Sequence, residues 1–356
     1  MAHYSPSEEQ TIATPHKDSQ SSPHLKSALA EFLQAYPAFQ TTSYIDDFRD
    51  REFSCLDEQG HIYLDYTDGG LYADSQILEH TDILRNRVFG NPHSTEPTSE
   101  AATELIERAK SYILDYFNAS PDEYVTIFTS NATGAIILVG GGYPFRPGDH
   151  YVLTSDNHKS VNGIREVALE ECTLNYLGLP AVAIGLKHIE SVGIDSIHQR
   201  VENLTGGLID NLVWMRHDNG TPLVSIFGPT DLDMCGGTVT VNCYDVNGKL
   251  IDHRQIEHLA NEANISLSTG CFCNPGEMEA AHGLTREDRD KTFAGDERMT
   301  LEQLNDIIER TDGKSVAAVR ISLSIASNFE DVHRFLAFAR QLLNKVAGEP
   351  PARWTR

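Results

Sequence analysis

The strongest constraint on the fold of this chain is an alternation of strand-like and helix-like segments between residues 124 and 171. The apolar, β-branched run VTIFTS at 125–130 predicts a buried strand, and it leads into NATGAIILVGG, whose small residues and apolar spacing predict a helix. DHYVLTS at 149–155 predicts a second strand, and NHKSVNGIREVALEE predicts the helix after it. Strands and helices that alternate at this spacing are typical of a parallel α/β sheet.

The C-terminal half has a different pattern, which predicts a smaller α+β domain. A helix-rich stretch after residue 171 continues into PLVSIFGP and GGTVTVNCYDVNGKLID. The second of these segments alternates in polarity and contains Asn247-Gly248, a strong signal for a β-hairpin turn. The remaining segments predict a helix at IEHLANEAN, strands at ISLSTGCFC and AVRISLSIASNF, and a final amphipathic helix with Asn328 as a candidate cap.

Composition limits the environment and the partners of the chain. The net charge of −24 should repel phosphate backbones and anionic lipid, so neither nucleic acid nor a membrane is an expected partner. No uninterrupted apolar run approaches the roughly 20 residues that span a bilayer. The six cysteines show no disulfide framework, which favours a reducing compartment and a cytoplasmic location. Residues 1–25 are rich in Ser, Pro, Gln and His and predict a disordered tail.

A candidate anion site lies where the first predicted strand meets its helix. The sequence TSNATGA at 129–135 places backbone N–H groups and the Thr133 hydroxyl at a helix start, where the helix dipole favours a phosphate. The same cluster is also a common N-cap, so a purely structural interpretation stays open. His158 follows the next strand at its carboxyl end, where α/β folds hold their ligands, although a histidine there can equally be structural.

Two thiols lie one residue apart in TGCFCNPG at 269–276. If the segment is extended, Cys271 and Cys273 point to the same face with Cα atoms about 6.6 Å apart, at the edge of disulfide geometry. His282 is the nearest further zinc ligand, but C-x-C with one histidine lacks the paired spacing of structural zinc sites. Two buried, inert thiols are the ordinary alternative.

Seven segments follow one another along the chain in a recognisable order: YLDY, FGNPHS, IFTSNATGAI, DNHKSVNGIRE, GGTVTVN, TGCFCNPG and VRISLSIASNFEDV. Together they resemble the class V aminotransferases, and most closely the molybdenum cofactor sulfurase and cysteine desulfurase branch. The resemblance covers the chain from about residue 40 to 345. It implies a pyridoxal-phosphate (PLP) enzyme of fold type I, normally a homodimer, that takes sulfur from L-cysteine and passes it to an acceptor.

The resemblance also implies roles for individual residues. Ala132 and Thr133 would hold the phosphate of PLP, and His158 would stack on its ring and assist proton transfers. Arg320 would bind the α-carboxylate of the substrate, for which a bidentate guanidinium is well suited. The alternative is that Arg320 ends an exposed strand and pairs with an aspartate. Cys273, the second cysteine of the C-x-C pair, would attack the substrate sulfur and carry it as a persulfide.

The sequence departs from the family in the middle of the large domain. PLP chemistry needs a lysine and an acidic partner for the ring nitrogen, and neither is visible where the family would place it. The chain passes from GIREVALEEC directly into a segment that resembles the one after that lysine. A central block is therefore expected to be missing, with its junction near Cys172. Lys159 lies near the predicted pocket, but on a helix start it would point about 100° away from His158.

The resulting prediction is an α/β protein with a PLP-dependent transferase-like (fold type I) large domain whose parallel sheet is shortened, followed by a smaller C-terminal α+β domain. We expect the truncated large domain at 26–171 and the small domain with its connecting helices at 172–356. The predicted function is PLP-dependent sulfur mobilisation from L-cysteine. Two alternatives remain: a catalytically inactive family member that serves in interactions, and a PLP-independent carrier of persulfide on Cys273.

Overall fold

The computed structural model describes residues 23–92, 96–146, 148–152, 157–158, 160–161, 177–270 and 317–347. Within these residues the protein has a mixed α/β structure with one five-stranded sheet. The strands lie side by side in the order β1-β4-β5-β3-β2. Their bounds are β1 Ile62–Leu64, β2 Val224–Phe227, β3 Thr238–Cys243, β4 Ile265–Gly270 and β5 Ala318–Ser322.

The sheet is mixed, and its central strand carries Arg320. β1 pairs in parallel with β4, with Ile62 opposite Ile265, whereas the other three pairs are antiparallel. The register places Arg320 of β5 opposite Ser268 of β4 on one side and Thr240 of β3 on the other. All five residues of β5 are buried. The sheet therefore holds the Arg320 backbone in the interior, between two paired strands.

Ten α-helices lie in the part of the chain that the structure describes. Three of them (α6, α9 and α10) confirm helices predicted above, and α7 and α8 lie in the predicted helix-rich stretch. Their bounds are α1 Pro23–Ala35, α2 Tyr44–Glu52, α3 Ser54–Glu58, α4 Asp74–Asn86, α5 Pro97–Tyr116, α6 Ala132–Gly142, α7 Pro180–Val192, α8 Ile194–Trp214, α9 His253–Glu262 and α10 Phe329–Arg340. None of the helices searched in the described ranges combines the length and the apolar character needed to cross a bilayer. The helix predicted at NHKSVNGIREVALEE falls largely outside those ranges.

The main core lies between the sheet and the long helix α8. Leu204 and Leu208 of α8 are fully buried in the same cluster as Ile321 of β5. α1 closes this core from outside, and its approach depends on a glycine of α8. A Cβ atom on Gly207 would lie 2.6 Å from the ring of Phe32, so a larger residue there would push α1 away.

Two buried arginines join the N-terminal helices to the segment that follows β5. Arg49 of α2, with a side chain 2% exposed, donates to the carbonyl oxygen of Ala326 and pairs with Asp57 and Asp331. Arg200 of α8 is fully buried and makes a comparable set of contacts. Its partners are the carbonyl oxygens of Thr42 and Ser327 and the carboxylate of Asp46. These contacts fix the segment after β5, and the start of α10, against α2 and α8.

Two local predictions in the C-terminal half are confirmed. The Asn247-Gly248 turn joins a short antiparallel bridge between Tyr244 and Leu250, and Gly248 has a φ of 76°, which suits a glycine. Asn328 caps α10, because its side chain accepts the Asp331 N–H at 2.9 Å while the Asp331 carboxylate accepts the Asn328 N–H at 3.1 Å.

The strand predicted at 125–130 is wrong. These residues form no strand, and the side chains of Val125 and Ile127 are 75% and 61% exposed. The second predicted strand, at 149–155, is also not seen in its described part: residues 149–152 form no strand, and Val152 is 83% exposed. Residues 153–155 lie outside the described residues. A β-branched run becomes a strand when a neighbouring strand takes its N–H and C=O groups, and in the described part of the chain none does so.

The observed sheet also crosses the predicted domain boundary. β1 belongs to the N-terminal segment, whereas β4, its partner, belongs to the C-terminal segment. The division into 26–171 and 172–356 stays a prediction.

Candidate cofactor and substrate site

The helix α6 begins at the predicted phosphate loop. Asn131 is extended, and its side chain accepts the N–H of Gly134 at 2.9 Å, so it is the N-cap of the helix. The cluster thus contains the predicted N-cap, which satisfies one of the first N–H groups of α6 internally. The role of Ala132 and Thr133 at a phosphate stays a prediction. A Cβ atom on Gly134 would lie 3.3 Å from the Ser130 hydroxyl, so the loop is tight at this point.

Thr133 and His158, which the sequence pairs as candidates, are connected through Ser160. The Thr133 hydroxyl lies 2.7 Å from the Ser160 hydroxyl, which lies 2.9 Å from Nδ1 of His158. The backbone N–H of Ser160 also points to Nδ1, at 3.2 Å. Nδ1 therefore acts as an acceptor, and the neutral imidazole carries its proton on Nε2. Sequence reasoning missed Ser160, which is buried; its position two residues after His158 is the available signal.

Arg320 lies in a separate group on the sheet. Its Nη2 donates to both carboxylate oxygens of Asp68, at 3.1 and 3.2 Å, and to the hydroxyl of Ser268. The Ser268 hydroxyl donates in turn to Asp68 at 2.6 Å. Arg320 pairs with an aspartate, as the alternative interpretation predicted, but it lies in the middle of a buried strand rather than at the end of an exposed one. Asp68 was not among the residues that the sequence singled out.

A second carboxylate increases the negative charge around Arg320. Burial and the carboxylate of Asp68 raise the pKa of Asp65, against the opposing effect of Arg320. Within the described residues, Oδ1 of Asp65 and Nε of Arg320 are both buried without a hydrogen-bond partner. The group therefore contains two acids, one guanidinium and an unused N–H donor on that guanidinium.

The structure does not join the two groups. Among the described residues, Thr133, Ser160 and His158 make no hydrogen bond to Arg320, Ser268 or Asp68. The remaining predicted site residues, Cys271, Cys273 and Lys159, lie outside the described residues. The roles of the predicted site residues therefore stay predictions.

Residues 62–179 match the family model of the class-V aminotransferases. The resemblance to that family is confirmed. A molybdenum cofactor sulfurase from Oryza sativa subsp. japonica is 24% identical over an alignment that covers 83% of this chain and 57% of the relative. A molybdenum cofactor sulfurase from Arabidopsis thaliana is 40% identical over 147 residues, which are 41% of this chain and 18% of the relative. The chain thus spans little more than half the length of the longer-aligned curated relatives.

Two solved structures share the fold. The apo structure of a cysteine desulfurase from Thermococcus onnurineus NA1 aligns with a TM-score of 0.57 and 14% identity, over 84% of this chain and 98% of that chain. A NifS-like protein from Rickettsia africae ESF-5 aligns with a TM-score of 0.55 and 13% identity, over 79% and 99%. At this level of identity the likeness establishes the fold alone, which is fold type I as seen in these cysteine desulfurase-like structures.

The alignments with two curated relatives show that this chain lacks segments that those relatives have. Loss of a single central block stays a prediction. The alignment with the rice relative is 477 positions long, whereas the whole chain has 356 residues. The tomato (Solanum lycopersicum) relative aligns over 490 positions. An alignment longer than the chain must contain segments of the relative that this chain skips. The position of the junction near Cys172 stays a prediction.

The described residues suit the phosphate and the ring of PLP, but no described lysine forms a hydrogen bond with them. The start of α6, the Thr133 hydroxyl and His158 provide groups for its phosphate and ring. The described lysines make no hydrogen bond to Thr133, His158 or Ser160: Lys110 pairs with Glu107, and Lys187 lies over the Tyr112 ring. Covalent attachment of PLP to a described lysine has no support in the contacts of this site.

Proposed function

We propose that the protein mobilises sulfur from L-cysteine, as a cysteine desulfurase of the molybdenum cofactor sulfurase type. The observation that supports this proposal is the chain of hydrogen bonds from Thr133 through Ser160 to His158 at the start of α6. These bonds connect the Thr133 hydroxyl, which would bind a phosphate, to the His158 imidazole, which would stack on an aromatic ring. PLP, when bound, would supply the electron sink that weakens the bond between the substrate carbon and sulfur.

The residues of the chain would then have distinct roles. The N–H groups of the first turn of α6 would bind the phosphate, and the Thr133 hydroxyl would join them by turning its proton from Ser160 to the phosphate. Ser160 would hold His158 with its proton on Nε2 and fix the orientation of the ring. Arg320 would bind the substrate carboxylate, and Cys273 would accept the sulfur as a persulfide.

The test combines PLP binding with product release. The purified protein should bind PLP, seen as a new absorbance band, and should release alanine from L-cysteine. Thr133→Ala should weaken PLP binding, whereas Cys273→Ser should stop persulfide formation. Absence of both a PLP band and alanine release above the Cys273→Ser control would refute the proposal. Borohydride reduction followed by peptide mass spectrometry would locate any PLP-modified lysine, including Lys159.

A second candidate function, a catalytically inactive family member that serves in interactions, is favoured by the state of Arg320. Its Nη2 already contacts the internal carboxylate of Asp68, and no described lysine forms a hydrogen bond with Thr133 or His158. For this candidate, PLP should not bind and L-cysteine should remain unchanged, while the protein unfolds cooperatively. The third candidate, a PLP-independent carrier, predicts a sulfur adduct on the Cys273 peptide after treatment with a persulfide donor.

The homodimer and the cytoplasmic location are part of the same proposal. Exposed apolar side chains on and beside α6, including Leu138, Val139 and Tyr143, are compatible with a covering partner. Sedimentation equilibrium should give twice the chain mass of 39.5 kDa, and a monomer at micromolar concentration would contradict the dimer.

A further inference from the structure

Asp68 lies against Arg320 in the position of an anionic ligand. Both of its carboxylate oxygens contact Nη2 of Arg320, and one also accepts the Ser268 hydroxyl. The two partners differ in exposure: the Arg320 side chain is 10% exposed, whereas that of Asp68 is 51% exposed. The guanidinium is therefore fixed in the sheet, and the carboxylate is the partner with room to move.

The turn that carries Asp68 is anchored on both sides. The N–H of Thr67 donates to the Ser322 hydroxyl at 2.9 Å, and the Thr67 and Thr238 hydroxyls lie 2.6 Å apart. The Tyr63 hydroxyl donates to the carbonyl oxygen of Gly69 at 2.9 Å. These bonds, on either side of residue 68, fix the backbone of the turn beside Arg320, while the half-exposed Asp68 side chain keeps room to move.

The contact with Asp68 involves only one nitrogen, Nη2, of the Arg320 guanidinium. Asp68 engages Nη2 alone, and the buried Nε of Arg320 has no hydrogen-bond partner in the described part of the chain. A carboxylate bound side-on would accept from both nitrogens, which is the stronger geometry for an arginine. Such a ligand would nevertheless enter a group that already contains Asp65 and Asp68. Two carboxylates and one guanidinium carry net negative charge, so a third carboxylate is repelled.

We propose that Asp68 is an internal carboxylate that competes with the substrate carboxylate for Arg320 and so determines whether this site accepts an anion. The proposal rests on the substrate-binding role proposed above for Arg320. In the wild-type protein, a small carboxylate must displace Asp68 before it can bind. Removal of the Asp68 charge should open the site and leave the unused Nε available.

The experiment measures carboxylate binding without PLP, so that it is independent of catalysis. Propionate, which lacks an ammonium group, is titrated by ligand-observed NMR into wild type, Asp68→Asn and Asp68→Glu. Asp68→Asn should bind propionate at least about tenfold more tightly, since one nearby charge screened by solvent has an effect of this order. Asp68→Glu should retain the weak binding of wild type, because the competing carboxylate is kept.

Two further variants control for charge and location. Asp122→Asn removes one negative charge from an exposed turn and should leave propionate binding unchanged. Asp68→Asn combined with Arg320→Gln should abolish the gain. The circular dichroism spectrum and melting temperature identify a variant that has lost its fold, and Asp68→Ala then replaces Asp68→Asn.

The proposal is overturned if Asp68→Asn binds propionate no more tightly than wild type, or if the gain survives Arg320→Gln. The two proposals fail in different ways. Alanine release from L-cysteine by wild type, without a gain in Asp68→Asn, would leave the proposed function intact and exclude the competition. A gain in Asp68→Asn without PLP binding or alanine release would support the competition and exclude the catalytic function.

Discussion

Replacement of Asp331 by alanine should lower the free energy of unfolding by about 3–5 kcal/mol. Asp331 is buried and pairs with Arg49, whose side chain is 2% exposed. The Asp331→Ala variant would leave this guanidinium with Asp57, which binds it at 2.9 Å but is 40% exposed. The buried charge would then be only partly compensated. The Asn328 N–H would also lose its carboxylate acceptor at the start of α10.

Urea denaturation followed by circular dichroism measures this loss, and Asp57→Ala is the matched control. Because Asp57 is partly solvated, its removal should cost about 1 kcal/mol. Asp331→Asn, which keeps the shape and one acceptor oxygen, should fall between the two. Equal losses for Asp331→Ala and Asp57→Ala would refute the view that burial decides the strength of this pair. A combined Arg49→Met and Asp331→Leu variant should recover much of the stability, since it leaves no buried charge.

Three further predictions test burial and capping. Iodoacetamide at pH 8 should label the exposed Cys55 and spare Cys243, because burial raises the pKa of the Cys243 thiol to about 12. Peptide mass spectrometry measures the labelling, and equal labelling of the two cysteines would contradict this prediction. Burial lowers the pKa of His188, so native protein binds its proton less readily than unfolded protein, and stability should fall as pH drops below about 6.5. The urea midpoint of His188→Gln should change less between pH 8 and pH 5 than that of wild type, and an identical change would be evidence against this assignment. Asn328→Ala should cost about 1 kcal/mol through loss of the α10 cap, whereas Asn328→Asp should cost little in the same urea assay.

The parts of the fold that the sequence predicts well depend on contacts between close neighbours in the chain. The turn at Asn247-Gly248 needs a glycine with positive φ, and the pair itself indicates this. The cap of α10 is formed by Asn328 and Asp331, three residues apart. Such features are visible in a short window of sequence because all of their partners lie in it.

The parts that the sequence could not predict depend on distant partners. Arg320 and Asp68 are 252 residues apart in the chain, and neither residue by itself indicates the other. Arg49 gives no sign of burial, because its partner Asp331 is 282 residues away. The run at 125–130 has the composition of a strand, but composition does not reveal that no adjacent strand accompanies it in the described chain. The family resemblance indicated Arg320 and Thr133, while the contacts around them required coordinates.

The pairing of β1 with β4 also determines when the sheet can form during translation. Ile62 leaves the ribosome long before Ile265, its partner in the register. At roughly 5–20 residues per second, the intervening 200 or so residues take about 10–40 s to synthesise. Throughout that interval Ile62 and Leu64, which are fully buried in the finished protein, have no strand to cover them. Nascent chains stalled before residue 265 should therefore bind chaperones through this segment, and full-length chains should release them.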